Sequence, residues 1–124
     1  MQWLIIARDG ADDDAPRRRL EARPAHLENA AKLQASGHLL IGGALTDGDG
    51  RMIGTAAVAQ FATRAELDHW LATDPYVTGD VWRKIEVHPY RVAPHYDVAD
   101  CPADAGESGA ECRAQQDAEQ GKEV

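Results

Sequence analysis

A chain of 124 residues with 44% hydrophobic content has the size of one domain and can bury a core without staples. Its formal charge of −8 is unevenly spread, because residues 97–124 carry eight acids against Arg113 and Lys122, a net −6 that leaves −2 on the rest. A near-neutral body whose only basic run is Arg17-Arg18-Arg19 argues against nucleic acid or an anionic membrane as partner, since both demand clustered cations.

The two cysteines, Cys101 and Cys112, fall in that acidic stretch, whose Gly/Ala/Asp/Glu/Gln-rich composition is too poor in apolar residues to fold. The division expected is therefore a folded domain over 1–96 and a disordered acidic tail over 97–124. No thiol ties the folded part together, as it would in a secreted scaffold. The start, Met1 to Arg8, lacks the basic leader of a signal peptide, and no apolar run approaches membrane-spanning length, so a cytoplasmic location is expected.

In chain order, Trp3 to Ala7 is a β-rich run closed by Asp9-Gly10, a first strand. Pro16 suits a first helical turn, and good helix formers follow from Arg17 to Ser36 before Gly37 stops the helix. At about 100° per residue, Leu20, Leu27, Ala30, Ala31 and Leu33 share one arc, with Arg23 and His26 inside it. Pro24 removes a backbone donor, which predicts a bend or restart. His38 to Leu45 and Gly54 to Phe61 flank Asp47-Gly48-Asp49-Gly50, a hairpin. Thr63-Arg64-Ala65-Glu66 is a capping box opening a second helix that ends near Thr73, ahead of Pro75. Val81 to Val92 is the last strand, with Val81, Ile85 and Val87 on an apolar face and Trp82, Glu86, His88 and Tyr90 on a mixed one.

The order βαββαβ predicts an α+β, ferredoxin-like antiparallel sheet with both helices on one face. The other face is then uncovered. A face bearing Trp82 and Tyr90 predicts a homodimer whose sheets face each other as a barrel, a dimeric α+β barrel.

Two strings carry the chemistry: Arg23-Pro24-Ala25-His26-Leu27 and Asp74-Pro75-Tyr76. A histidine and a carboxylate at the edges of apolar elements can meet as a general base and the group that orients it. Each residue also has a plain reading. Asp74 before Pro75 looks like an N-cap with a first-turn proline, and a histidine on an apolar arc can be a satisfied core residue. Arg23 is either a snorkelling side chain or the anchor of an anionic substrate. Tyr76 is either a packing aromatic or a hydroxyl donor to the site. Gly42 and Gly43, inside a strand, fit either a cleft floor or a bulge. His38, His69, His88 and His95 show no metal-ligand spacing, so no metal is expected, and no phosphate-binding loop or nucleophile motif is present.

Through these strings, the Gly42-Gly43 strand, Gly79, and the closing Glu86-Val87-His88-Pro89-Tyr90, residues 1–96 resemble the YCII-related (YciI-like) proteins, small dimeric α+β barrels. That resemblance implies an active-site pair at His26 and Asp74, and one branch of the family is a dehydrochlorinase of a chlorinated hydroxyquinone. Where the family often has Gly-Pro in the second strand, this chain has Gly43-Ala44. The function expected is a cofactor-independent enzyme that removes a proton from a small cyclic or aromatic, hydroxylated or acidic substrate. His26 and Asp74 would be catalytic, with Arg23, Gly42, Gly43 and Tyr76 binding the substrate. Two alternatives stand beside it: a non-catalytic small-molecule-binding or regulatory dimeric module, and a cofactor-free oxygenase.

Overall fold

The computed structural model describes residues 1–96 and 98. The acidic tail, with Cys101 and Cys112, lies outside the described residues apart from Val98. The elements run β1 (Gln2–Asp9), α1 (Ala15–Ala35), β2 (Leu39–Thr46), β3 (Met52–Gln60), α2 (Arg64–Thr73), α3 (Pro75–Thr78) and β4 (Trp82–Tyr90).

Local chemistry accounts for most of the boundaries. Helix α1 ends in a Schellman motif: Gly37 takes φ +85°, its N–H donates to the Gln34 carbonyl, and the His38 N–H donates to the Leu33 carbonyl. Of the bend or restart expected at Pro24, the restart does not occur, and α1 is one element through Pro24. The carbonyl that Pro24 cannot serve is that of Leu20, a residue 62% exposed, so water can take the place of the missing donor. Thr63 Oγ1 accepts from the Glu66 N–H at 3.2 Å and opens α2. Pro75 holds Asp74 extended at φ −62°, ψ +137°, which ends α2 and starts the short helix α3.

The strands form one antiparallel sheet in the order β2-β3-β1-β4. This is the ferredoxin-like arrangement, but the expected barrel is not formed. The sheet is open, and β2 and β4 are its edges, each paired with a single neighbouring strand among the described residues. Closing a sheet requires its edge strands to pair at a consistent tilt and stagger, a condition these four strands do not meet.

Alternation places Trp3, Ile5 and Ala7 of β1 and Ala57 and Ala59 of β3 on the helix side, where they meet Leu67, Trp70, Leu71 and Tyr76. On β4, Val87 follows this register opposite Ile5. A bulge at Arg8/Asp9 then pairs Arg8 with Lys84 and Asp9 with Trp82. The bulge turns Trp82 into the core, 6% exposed, instead of onto the open face with Glu86, His88 and Tyr90 where alternation had put it.

The inward face of α1 also differs from the leucine arc. Leu20 and Leu27 are 62% and 47% exposed, while Arg19 is buried and Ala22 and Leu33 pack on the core. Polar side chains can face inward here because each finds a carboxylate: Arg19 meets Asp9, and His26 meets Asp74.

Candidate functional site

Asp74 is 1% exposed and accepts three hydrogen bonds. The Tyr76 backbone N–H reaches its Oδ1 at 2.8 Å, the Trp70 indole N–H reaches Oδ2 at 3.0 Å, and His26 Nδ1 lies 2.8 Å from Oδ1. The first of these is the N-cap of α3, so Asp74 serves as cap and as histidine partner together. A carboxylate only accepts, so Nδ1 carries the ring proton and donates it to Asp74. Nε2 is then the basic nitrogen, and it makes no hydrogen bond among the described residues.

The imidazole is also fixed by its aromatic neighbours. It stacks on Tyr76 at 3.8 Å between centroids and 12° between planes, and meets Trp82 edge-on at 5.8 Å. The Arg19 guanidinium lies 4.7 Å from the same Tyr76 ring. Arg19 and His26 are seven residues apart on α1, about two turns, so the Tyr76 ring sits between them. Burial raises the Tyr76 phenol above its usual range, against the pull of Arg19 and Arg23, so the hydroxyl stays protonated. That hydroxyl makes no hydrogen bond among the described residues.

These side chains face a cavity of about 710 Å³ between α1 and the β2–β3 half of the sheet, within the range of small-ligand sites. Arg23 lines it and has no ion pair among the described residues. Gly42 and Gly43 line it as well, so all six residues singled out above except Asp74 border this space, with Asp74 behind His26. Neither glycine forms the bulge of β2, which falls at Leu40, between Leu39 and Ile41. A Cβ on Gly42 would meet Ala57 Cβ at an ordinary 3.6 Å. Gly42→Val should therefore keep the fold, with an unchanged or higher melting temperature, while its branches enter the cavity and abolish ligand binding by calorimetry. Binding at wild-type strength would place the ligand elsewhere.

Alternation and helix spacing contained signals for residues that the motif reading passed over. Asp9 continues the inward series Trp3, Ile5, Ala7, and a carboxylate in that register calls for a cation. Arg19, Arg23 and His26 stand at i, i+4 and i+7 on one helical stripe. Arg19 answers Asp9: its Nη1 donates at 3.0 and 2.9 Å to the two Asp9 oxygens, and its Nη2 donates to Thr55 Oγ1 at 3.3 Å. Trp82 Nε1 donates to the same Thr55 oxygen at 3.2 Å. Among the described residues no group of three His, Cys, Asp or Glu stands close enough to hold a metal ion, and no helix is long and apolar enough to cross a membrane.

Fold and cavity together define a small ferredoxin-like α+β protein with a carboxylate-held histidine facing a ligand-sized space. The sequence profile of the YCII-related domain matches residues 1–91, and the chain belongs to the YCII-related family. Protein YciI of Escherichia coli is 31% identical over 97 residues, covering 73% of this chain and 97% of that protein. An uncharacterised protein of Haemophilus influenzae is also 31% identical over 97 residues, with the same coverage. Among solved structures, the 5-chloro-2-hydroxyhydroquinone dehydrochlorinase TftG of Burkholderia phenoliruptrix AC1100, in complex with 2,5-dihydroxybenzoquinone, superposes with TM-score 0.67 at 20% identity, over 78% of this chain and all of that one. An antibiotic biosynthesis monooxygenase assigned from Bacteroides thetaiotaomicron gives TM-score 0.51 at 13% identity, over 79% of this chain and 96% of that one. At these identities the two structures share the fold.

Proposed function

We propose that the chain is a cofactor-independent enzyme that removes a proton from a small cyclic or aromatic, hydroxylated or acidic molecule, leading to elimination or isomerisation. One observation carries this reading: His26, which lines a ligand-sized cavity, commits Nδ1 to a buried carboxylate at 2.8 Å while Nε2 has no partner among the described residues. Nε2 accepts the substrate proton, and Asp74 keeps the productive tautomer and stabilises the imidazolium, a contribution of ~10²–10⁴ in rate. Arg23, without an ion pair among the described residues, anchors an acidic oxygen of the substrate. Tyr76 offers a protonated hydroxyl, and Gly42 and Gly43 leave the floor open.

The structurally similar dehydrochlorinase supplies the first compound to try, 5-chloro-2-hydroxyhydroquinone. Chloride release that disappears in His26→Ala supports an eliminating enzyme. Exchange of a substrate C–H for deuterium without release supports an isomerase of the same mechanism. Tight binding with neither reaction, across a panel of hydroxylated rings, would leave a binding module.

The sheet face opposite the helices supports a homodimer as the working form. It presents Leu4, Ile6, Ile41 (69% exposed) and Tyr90 (45% exposed), and no helix among the described residues covers it. Sedimentation at micromolar concentration should give twice the chain mass. A well-folded species of one chain mass would refute a stable dimer, whose interface buries over ~1,000 Å².

A further inference from the structure

We infer that the Thr55 hydroxyl is a catalytic hydrogen-bond donor, which holds the oxygen on which negative charge develops when His26 removes a proton. A threonine hydroxyl has one hydrogen and two lone pairs. In this protein two N–H groups point at Thr55 Oγ1, Arg19 Nη2 at 3.3 Å and Trp82 Nε1 at 3.2 Å, so both lone pairs are engaged. The remaining hydrogen has no acceptor among the described residues, although Thr55 is only 6% exposed, and Thr55 lines the cavity. A nearly buried O–H whose rotor is set by two incoming donors is an oriented donor awaiting a ligand oxygen.

Its surroundings suit that role. Arg19 is 4% exposed and Asp9 is held against it, so the cation that polarises Thr55 is rigid and already desolvated. Trp82 carries Thr55 at its Nε1 and meets His26 with its ring, which places donor and base one indole apart on the same cavity wall. With Arg23 and the Tyr76 hydroxyl, the cavity offers several donors without a partner among the described residues, beside the His26 nitrogen. That complement fits a ring carrying more than one acceptor oxygen, with a C–H adjacent to a carbonyl.

This inference rests on the reading of His26 as base. The substrate C–H bond breaks, and its proton goes to Nε2. The electron pair forms a C=C bond as the carbonyl π pair moves onto oxygen, and that oxyanion accepts the Thr55 hydrogen bond while Thr55 keeps its proton. When the carbonyl re-forms, either a leaving group on the next carbon departs with its bonding pair, or the proton returns to a different carbon.

The test is binding of para-nitrophenolate, which presents an oxyanion on a ring, against para-nitroanisole, its methyl ether. The wild-type protein should bind the phenolate at least ~10-fold more tightly than the ether, as expected for a hydrogen bond to a charged oxygen. Thr55→Val should bring that ratio below ~3-fold, and Thr55→Ser should restore it. Should Thr55→Val fail to fold by near-ultraviolet circular dichroism, Thr55→Ala, which leaves room for a water beneath the Arg19 and Trp82 donors, serves in its place. Undiminished discrimination in the folded variant, or none in the wild type, would overturn the assignment. The titration involves no proton abstraction, so discrimination kept in His26→Ala separates this subsite from the base. Failure of the base reading would show instead as undiminished turnover in that variant.

Discussion

His26→Ala and Asp74→Asn should each lower proton abstraction at least ~10²-fold while leaving the protein folded. The readout is exchange of the α-hydrogen for deuterium, by nuclear magnetic resonance, in a hydroxylated cyclic ketone whose exchange the wild-type protein accelerates. His26→Ala removes the acceptor outright. Asp74→Asn acts through geometry, since its amide offers one acceptor atom where the carboxylate used both. With the amide oxygen toward His26 and the Tyr76 N–H, its NH₂ faces the Trp70 indole N–H, donor against donor. With the amide reversed, the NH₂ faces His26 Nδ1 and drives the ring to the other tautomer, which puts a hydrogen on Nε2 where a lone pair is needed. Either arrangement costs roughly 1–3 kcal/mol of stability, less than a domain of this size can tolerate losing. Because the two side chains act as one unit, the double variant should be scarcely slower than the slower single one. An exchange rate near that of wild type in His26→Ala would end the catalytic reading.

What was legible in the sequence follows from how local each cause is. Gly37, Thr63 and Pro75 act within a few residues of themselves, and the helix ends lie where those residues place them. The strings around His26 and Asp74 point to a pair, and the side chains meet, because the break before Pro75 leaves Asp74 extended at the end of α2 facing α1. The other half of the cavity was hidden because its partners are distant in sequence. Thr55 is an ordinary strand residue until Arg19 and Trp82, both remote in the chain, aim their donors at it. Trp82 itself was placed on the wrong face because strict alternation does not anticipate a bulge, and a single extra residue reverses every side chain beyond it. The barrel failed for a related reason: alternation of apolar and polar residues specifies which face is buried, and carries no information on whether edge strands meet.

Asp9→Ala should be the most destabilising single change outside the apolar core. The Asp9 and Arg19 side chains are 6% and 5% exposed and make the most deeply buried pair of formal charges among the described residues. Removing the carboxylate leaves a guanidinium enclosed by Tyr76 and Thr55, with its Nε already lacking a partner, and with water largely excluded. Breaking such a pair from one side costs about 3–5 kcal/mol, which for a domain of this size lowers the melting temperature by more than ~10 °C. The pair is not therefore a large net source of stability, since much of that cost is the penalty of the orphaned charge. Arg19→Met combined with Asp9→Asn, which removes both charges at similar volume, should recover most of the loss. Urea unfolding of the wild type, Asp9→Asn, Arg19→Met and the double variant completes the cycle and gives the coupling directly. A single-variant loss under about 1 kcal/mol would mean that water reaches the guanidinium and that the dry, pre-polarised Thr55 donor lacks its support. If instead both single variants are strongly destabilised and the double is not, the buried pair adds no net stability over neutral packing, as expected where charge is retained for chemistry.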